Sequence, residues 1–161
     1  MRLPALLALF ALTAFCSSSP AADGDGDFNG AWVAAMCPAG IKTDSGKCAN
    51  FVLELFQKED KVCGSHVFAT AGATQMDEGG TPSITGNVAD GVATITVISG
   101  RGTPPVQVRV ELKIVNNRMQ WKRLDDPTGD FLLPPAAQLT RSRNKTMFAP
   151  VFAQQLQAAC R

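Results

Sequence analysis

In the second half of the chain, residues 106–115 (VQVRVELKIV) alternate without a slip as far as Ile114. Val106, Val108, Val110, Leu112 and Ile114 fall on one face; Gln107, Arg109, Glu111 and Lys113 fall on the other. A period of two cannot be a helix stripe. It belongs to a strand with one face in a core and one in water. A wet face also marks the sheet as antiparallel, because parallel sheets are covered on both sides.

The flanking segments extend that reading. Residues 50–58 and 61–70 are apolar-rich runs either side of Glu59-Asp60. Residues 83–89 and 92–99 flank Asp90-Gly91, one of the strongest short hairpin signals, and Asn116-Asn117 links 106–115 to 118–124, because Asn tolerates positive φ. A first strand at 28–33 and a short last one near 137–140 bring the count to eight, with no repeated βα unit. The expectation is an all-β fold: an antiparallel up-and-down barrel, which removes exposed edges, with a sandwich as the alternative. Longer connections fall at 38–47, 71–82 and 100–105. In the tail, Pro150 suits a first helical turn, and Val151, Phe152, Leu156, Ala159 and Cys160 recur at helical spacing. A short C-terminal amphipathic helix is expected there.

The N-terminus reads as a targeting signal rather than as structure. Arg2 precedes an apolar run from Leu3 to Phe15, and small residues follow up to Ala22. That run is too short to span a bilayer core of roughly 30 Å. The expected division is a signal peptide at 1–21, a flexible lead-in at 22–27 and one β domain at 28–161. Cys16 sits where a lipid-anchored chain carries its modified cysteine, but the preceding Phe15 is large where a small residue is the rule, so anchoring is disfavoured. The expected location is the periplasm or the exterior.

Beyond Cys16, the four cysteines Cys37, Cys48, Cys63 and Cys160 form an even set. In an exported chain this implies two disulfides with three conceivable connectivities. Antiparallel pairing selects among them. The end of the first strand lies beside the start of the second, bringing Cys37 to Cys48. Cys63 lies at the far end of the next hairpin, about eight residues from Cys48 along the strand direction, or ~26 Å. A disulfide needs Cα atoms within about 7 Å, so Cys63 is left to pair with Cys160.

Charge and composition exclude other classes. Without Arg2 the chain carries 14 basic and 14 acidic side chains, so it lacks the basic excess of a nucleic-acid binder. The charges are split, with ten acids and four bases over 23–100 but four acids and ten bases over 101–161. Intermixing of strands from the two halves is expected to smear that split out. His66 is the single histidine and the one neutral-pH base. Ser65 or Ser99 with Glu54 are the partners a hydrolase could draw on, but no spacing supports them, and the reading is non-enzymatic with no cofactor. No close cysteine pair or histidine cluster suggests a metal. Asp77-Glu78 before Gly79-Gly80 offers too few alternating oxygens for calcium and reads as a solvated loop tip. Trp32 and Trp121 read as large core plugs.

Two resemblances bear on function. Gly30-Ala31-Trp32 on the first strand resembles the Gly-x-Trp opening of lipocalin- and avidin-type barrels, which implies a barrel with a small apolar ligand in its mouth. Ser99-Gly100-Arg101 after a strand is similar to the Ser-Gly loop of periplasmic lysozyme inhibitors, small disulfide-bonded barrels that plug an enzyme's cleft. The expectation is a binding protein, foremost an inhibitor or immunity module against a cell-wall enzyme, alternatively an apolar-ligand carrier. Arg101, Ser99, Asp77 and Glu78 are its expected partner-binding residues, because loops on a rigid scaffold are where binding resides.

Overall fold

The computed structural model describes residues 26–161. The expected signal peptide, Cys16 and most of the lead-in lie outside these residues. Nine strands precede one helix: β1 (Gly30–Met36), β2 (Ala49–Lys58), β3 (Lys61–Ala69), β4 (Met76–Glu78), β5 (Ile84–Ala89), β6 (Val92–Ser99), β7 (Val106–Val115), β8 (Arg118–Arg123), β9 (Ala136–Arg141) and α1 (Pro150–Ala159). Neighbouring strands run in the order β2-β1-β9-β8-β7-β6-β5-β3, and pairing of β2 with β3 closes the ring. The fold is therefore the expected antiparallel barrel of eight strands, with β4 as an additional strand beside β3 and a short C-terminal helix.

Register follows from the alternation. Trp32, Leu53 and His66 lie side by side across β1, β2 and β3, as do Val97 with Val108 and Leu112 with Trp121 across β6, β7 and β8. These residues point inward, and the interior is packed. Trp32, Phe51, Leu53, Leu55, Leu112, Met119 and Leu139 are all 0 % exposed. Any void large enough for a ligand would leave its lining with accessible surface. Both tryptophans also satisfy their indole N–H, Trp32 donating to the Phe28 carbonyl (3.0 Å) and Trp121 to that of Pro134 (2.9 Å).

The two ends of the barrel differ. Glu59-Asp60, Asp90-Gly91 and Asn116-Asn117 all turn at one end. Both residues have positive φ in the last two turns, the conformation that matches strand twist in a two-residue hairpin. Phe28 is buried and Arg141 stacks 4.4 Å over the Trp32 ring, the latter's guanidinium also donating to the Asn29 carbonyl. The long connections, residues 37–48, 70–83, 100–105 and 124–135, all fall at the opposite end.

Three expectations need correction. Residues 71–82 are not one irregular loop, because β4 lies within them and pairs with the end of β3. From Asp77 to Ile84 the chain takes seven steps while β3 takes four, from Phe68 to Gly64, so β4 lies on the same edge of β3 as β5 with three extra residues between their pairings. Second, the strands of the two charge halves do not intermix, although the tail crosses to β2 and β3. A barrel that keeps strands nearly in chain order leaves β7, β8 and β9 as one contiguous arc. Third, the apolar stripe of α1 is narrower than its spacing implied: Leu156 is fully buried, whereas Val151 is 67 % exposed.

The tail crosses the outer wall of the barrel. Glu54, on the outer face of β2, is 3 % exposed because Thr146 donates its hydroxyl (2.6 Å) and Met147 its backbone N–H (3.2 Å) to the carboxylate. Disulfides join Cys37 to Cys48 and Cys63 to Cys160, the second bridging 97 residues of sequence and fixing the end of α1 to β3. A loop of that length contributes up to about 4–5 kcal/mol by restricting the unfolded chain. Replacing Cys63 and Cys160 together by Ser is expected to lower the melting midpoint by roughly 10 °C or more with the β circular-dichroism signal retained. An unchanged midpoint would show that the tail adds nothing to the barrel's stability.

Candidate functional site

The long-loop end is built around a buried polar chain. His66 on β3 points into the barrel and is 1 % exposed. Its Nδ1 lies 2.9 Å from Ser83 Oγ, which also accepts the His66 backbone N–H at 3.2 Å. With Ser83 donating to Nδ1, Nε2–H faces Asp77 Oδ1, 3.6 Å away. That separation is too long for a hydrogen bond, and Nε2 has no hydrogen-bond partner among the described residues.

Asp77 is the hub. Phe68 is its register partner, which turns it inward with the core face of β3. Ser99 at the end of β6 places its hydroxyl between both carboxylate oxygens (2.8 and 2.9 Å), and the Leu132 backbone N–H donates to Oδ2 at 2.8 Å. One carboxylate thereby joins β4, β6 and the connection between β8 and β9. Burial pushes the Asp77 carboxyl up, but the His66 ring, the Leu132 N–H and the Ser99 hydroxyl together outweigh it and hold the group below its ordinary value of 3.8.

The sequence-expected site residues are redistributed accordingly. Asp77 is not in a solvated loop tip, and neither it nor Ser99 reaches the surface, since both are 0 % exposed. Alternation explains the correction: within Met76–Glu78 only the central residue points inward, leaving Glu78 outside. Arg101 is not a free arm either. Its Nε donates to Asp130 (2.9 Å) and its Nη1 to the Met76 carbonyl (2.8 Å), clasping β4 to the β8–β9 connection. Glycine permits this crossing, because a Cβ at Gly100 would collide with the Glu78 carbonyl and one at Gly79 with Ser83. Met76, Glu78, Gly100, Arg101 and Asp130 line a shallow cleft of about 320 Å³ on this end.

Ser65 and Glu54 stand on the outer face of the wall, so neither joins His66. Ser83 does, and sequence reasoning missed it because no spacing motif links 66 to 83. Ser83, His66 and Asp77 are the residue types of a hydrolytic triad, but all three are within 1 % of complete burial. A substrate carbonyl has no approach to the Ser83 hydroxyl in this packing. What the arrangement does is hold three segments at fixed spacing. Among the described residues, no group of three or more His, Cys, Asp or Glu side chains could hold a metal ion, and no helix is long and apolar enough to cross a membrane.

No family model, curated protein or solved structure matches this chain.

The hub yields a sign-definite expectation. A carboxyl whose pKa is lowered by folding adds stability that is fully present above its unfolded value and is lost as pH falls through the folded one. Asp77→Asn is therefore expected to flatten the loss of stability below about pH 4 while lowering stability at pH 7. Asp77→Ala, which leaves the Ser99 hydroxyl and Leu132 N–H without their acceptor, is expected to cost about 3 kcal/mol or more at pH 7. Urea melts across pH 2–7 read both effects. Parallel acid limbs for the wild type and Asp77→Asn would remove Asp77 from this role.

Proposed function

We propose that this chain is a non-enzymatic binding protein of the periplasm or cell surface that engages a protein partner through its long-loop end, as an inhibitor or immunity-type module acting on a cell-wall enzyme. The observation that carries this reading is the packed interior beneath a cross-tied loop end. A carrier needs a hollow apolar site, commonly 300–1,000 Å³ in the case of small ligands, and the core side chains here leave no such space. Binding capacity then falls to the surface. There, the Asp77 and Arg101 ties fix three segments in advance, which lowers the ordering cost that association otherwise meets. Two disulfides suit an oxidising compartment.

The ties and the contacts separate into different residues. Arg101 and Asp77 hold the platform, whereas Glu78 and Met76, both exposed, are on its surface. Immobilised protein, incubated with bacterial periplasmic and cell-wall extract, is expected to retain a partner and to slow peptidoglycan hydrolysis by that fraction. The double variant Met76→Ala, Glu78→Arg should keep the wild-type melting midpoint and lose both effects. Full capture and inhibition by the double variant would sink the loop-end reading. A small apolar compound co-purifying with the protein would replace it with the carrier reading.

A further inference from the structure

A second surface, on the outer wall, carries its own chemistry. Where α1 ends beside β3, an open cleft of about 830 Å³ runs over the outer faces of β3, β5 and β6. Its floor is a polar lattice. Cys63, Thr85, Thr96 and Arg109 are successive register partners across β3, β5, β6 and β7, and Lys61, Asn87 and Thr94 form the adjacent row. Thr85, Asn87 and Thr94 are exposed and Thr96 is half-buried, so hydroxyl and amide groups face the cleft in two rows. The rows are two residues apart along each strand, about 6.6–6.8 Å.

The rim is cationic. Lys58, Lys61 and Arg161 line the cleft and form no ion pair among the described residues, while Arg109 is shared with Asp125 at 2.9 Å. Glu59 is the one acid in the lining. Side chains on one face of an extended peptide recur at the same ~6.6–6.8 Å as the rows, so a strand-like segment lying along β5 and β6 meets a hydroxyl or amide at each of the two rows, with Lys58, Lys61 and Arg161 beside it on the β3 side. A glycan is a poorer match. Sugar faces stack on aromatic rings, and the only aromatic in the lining, Phe56, is half-buried.

We propose that this outer-wall cleft binds an extended acidic segment of a protein partner, its carboxylates taken by Lys58, Lys61 and Arg161 and its backbone by the Thr and Asn rows. The site lies toward the tight-turn end and does not depend on the loop-end reading.

The test uses the full chain and a fluorescein-labelled hexapeptide of alternating Glu and Thr, read by fluorescence anisotropy at low and moderate salt. A Gln/Thr hexapeptide and a heparin hexasaccharide serve as comparators. The acidic peptide is expected to bind about tenfold or more tighter than the Gln/Thr peptide. The double reversal Lys58→Glu, Lys61→Glu should weaken it by at least about tenfold with an unchanged melting midpoint, since both side chains are exposed. Thr96→Val should weaken it several-fold without altering its salt dependence, a signature that charge attraction alone does not give. Met76→Ala, Glu78→Arg should leave it unchanged, which separates this cleft from the loop end. The proposal is overturned if the acidic peptide fails to bind at low salt, if charge reversal leaves its affinity intact, or if Thr96→Val has no effect. It is equally overturned if the hexasaccharide binds more tightly than the peptide.

Discussion

Closure of the sheet governs everything else in this molecule. An open eight-stranded sheet would leave two strands with unpaired backbone groups and would expose its apolar face at both margins. Pairing β1 with both β2 and β9, and β2 with β3, removes those margins. It also forces every inward residue of every strand into one shared volume. Trp32, Phe51 and Trp121 occupy that volume jointly, with the Phe51 and Trp121 rings edge to face at 4.8 Å. Large inward side chains, Trp32, Phe51, Leu53 and Leu112 among them, fill that volume and are fully buried.

Among the described residues, the buried His66–Asp77 chain, with Ser83 and Ser99, is where the inward face departs from apolar packing. Placing a carboxylate at zero exposure is costly unless its lone pairs are taken up. Here they are, by Ser99 and the Leu132 N–H, with the imidazole beside them. The consequence is directional: the groups around Asp77 reach it from β3, β6 and the β8–β9 connection, and of these only β3 is laddered to β4. Arg101 repeats the pattern closer to solvent through Asp130 and the Met76 carbonyl. The loop end is therefore tied together by polar side chains, whereas the turn end is set by backbone conformation. That difference leaves the loop end as the place where a shaped surface is held without a continuous ladder beneath it.

Strands that follow one another in sequence and in space also keep local charge local. Arg109 with Asp125 and Arg123 with Asp126 neutralise one another within the basic half of the chain. On the other side of the ring, the lysines at the β2–β3 turn form no such pair among the described residues, and Arg161 lies in the same cleft because Cys160 is bonded to Cys63. That bond places Ala159, Cys160 and Arg161 along one side of the outer-wall cleft. Its floor belongs to the sheet, one of its walls to the helix, and the disulfide sets their distance.

Period-two alternation determined that 106–115 is a half-buried antiparallel strand, and two-residue turn signals determined which segments are hairpins. Both are local properties of covalent geometry, carried by neighbouring residues, and so legible without a fold. The disulfide partners were legible for the same reason, because antiparallel pairing places the cysteines by counting. The tertiary structure alone decided the site. A three-residue strand is too short to show a period, so Met76–Glu78 read as a loop, and Asp77 read as a surface acid when closure had turned it inward. Ser83 and Leu132 meet that network across 17 and 55 residues of sequence. No spacing rule reaches so far, because what brings them together is the ring of paired strands and not the chain between them.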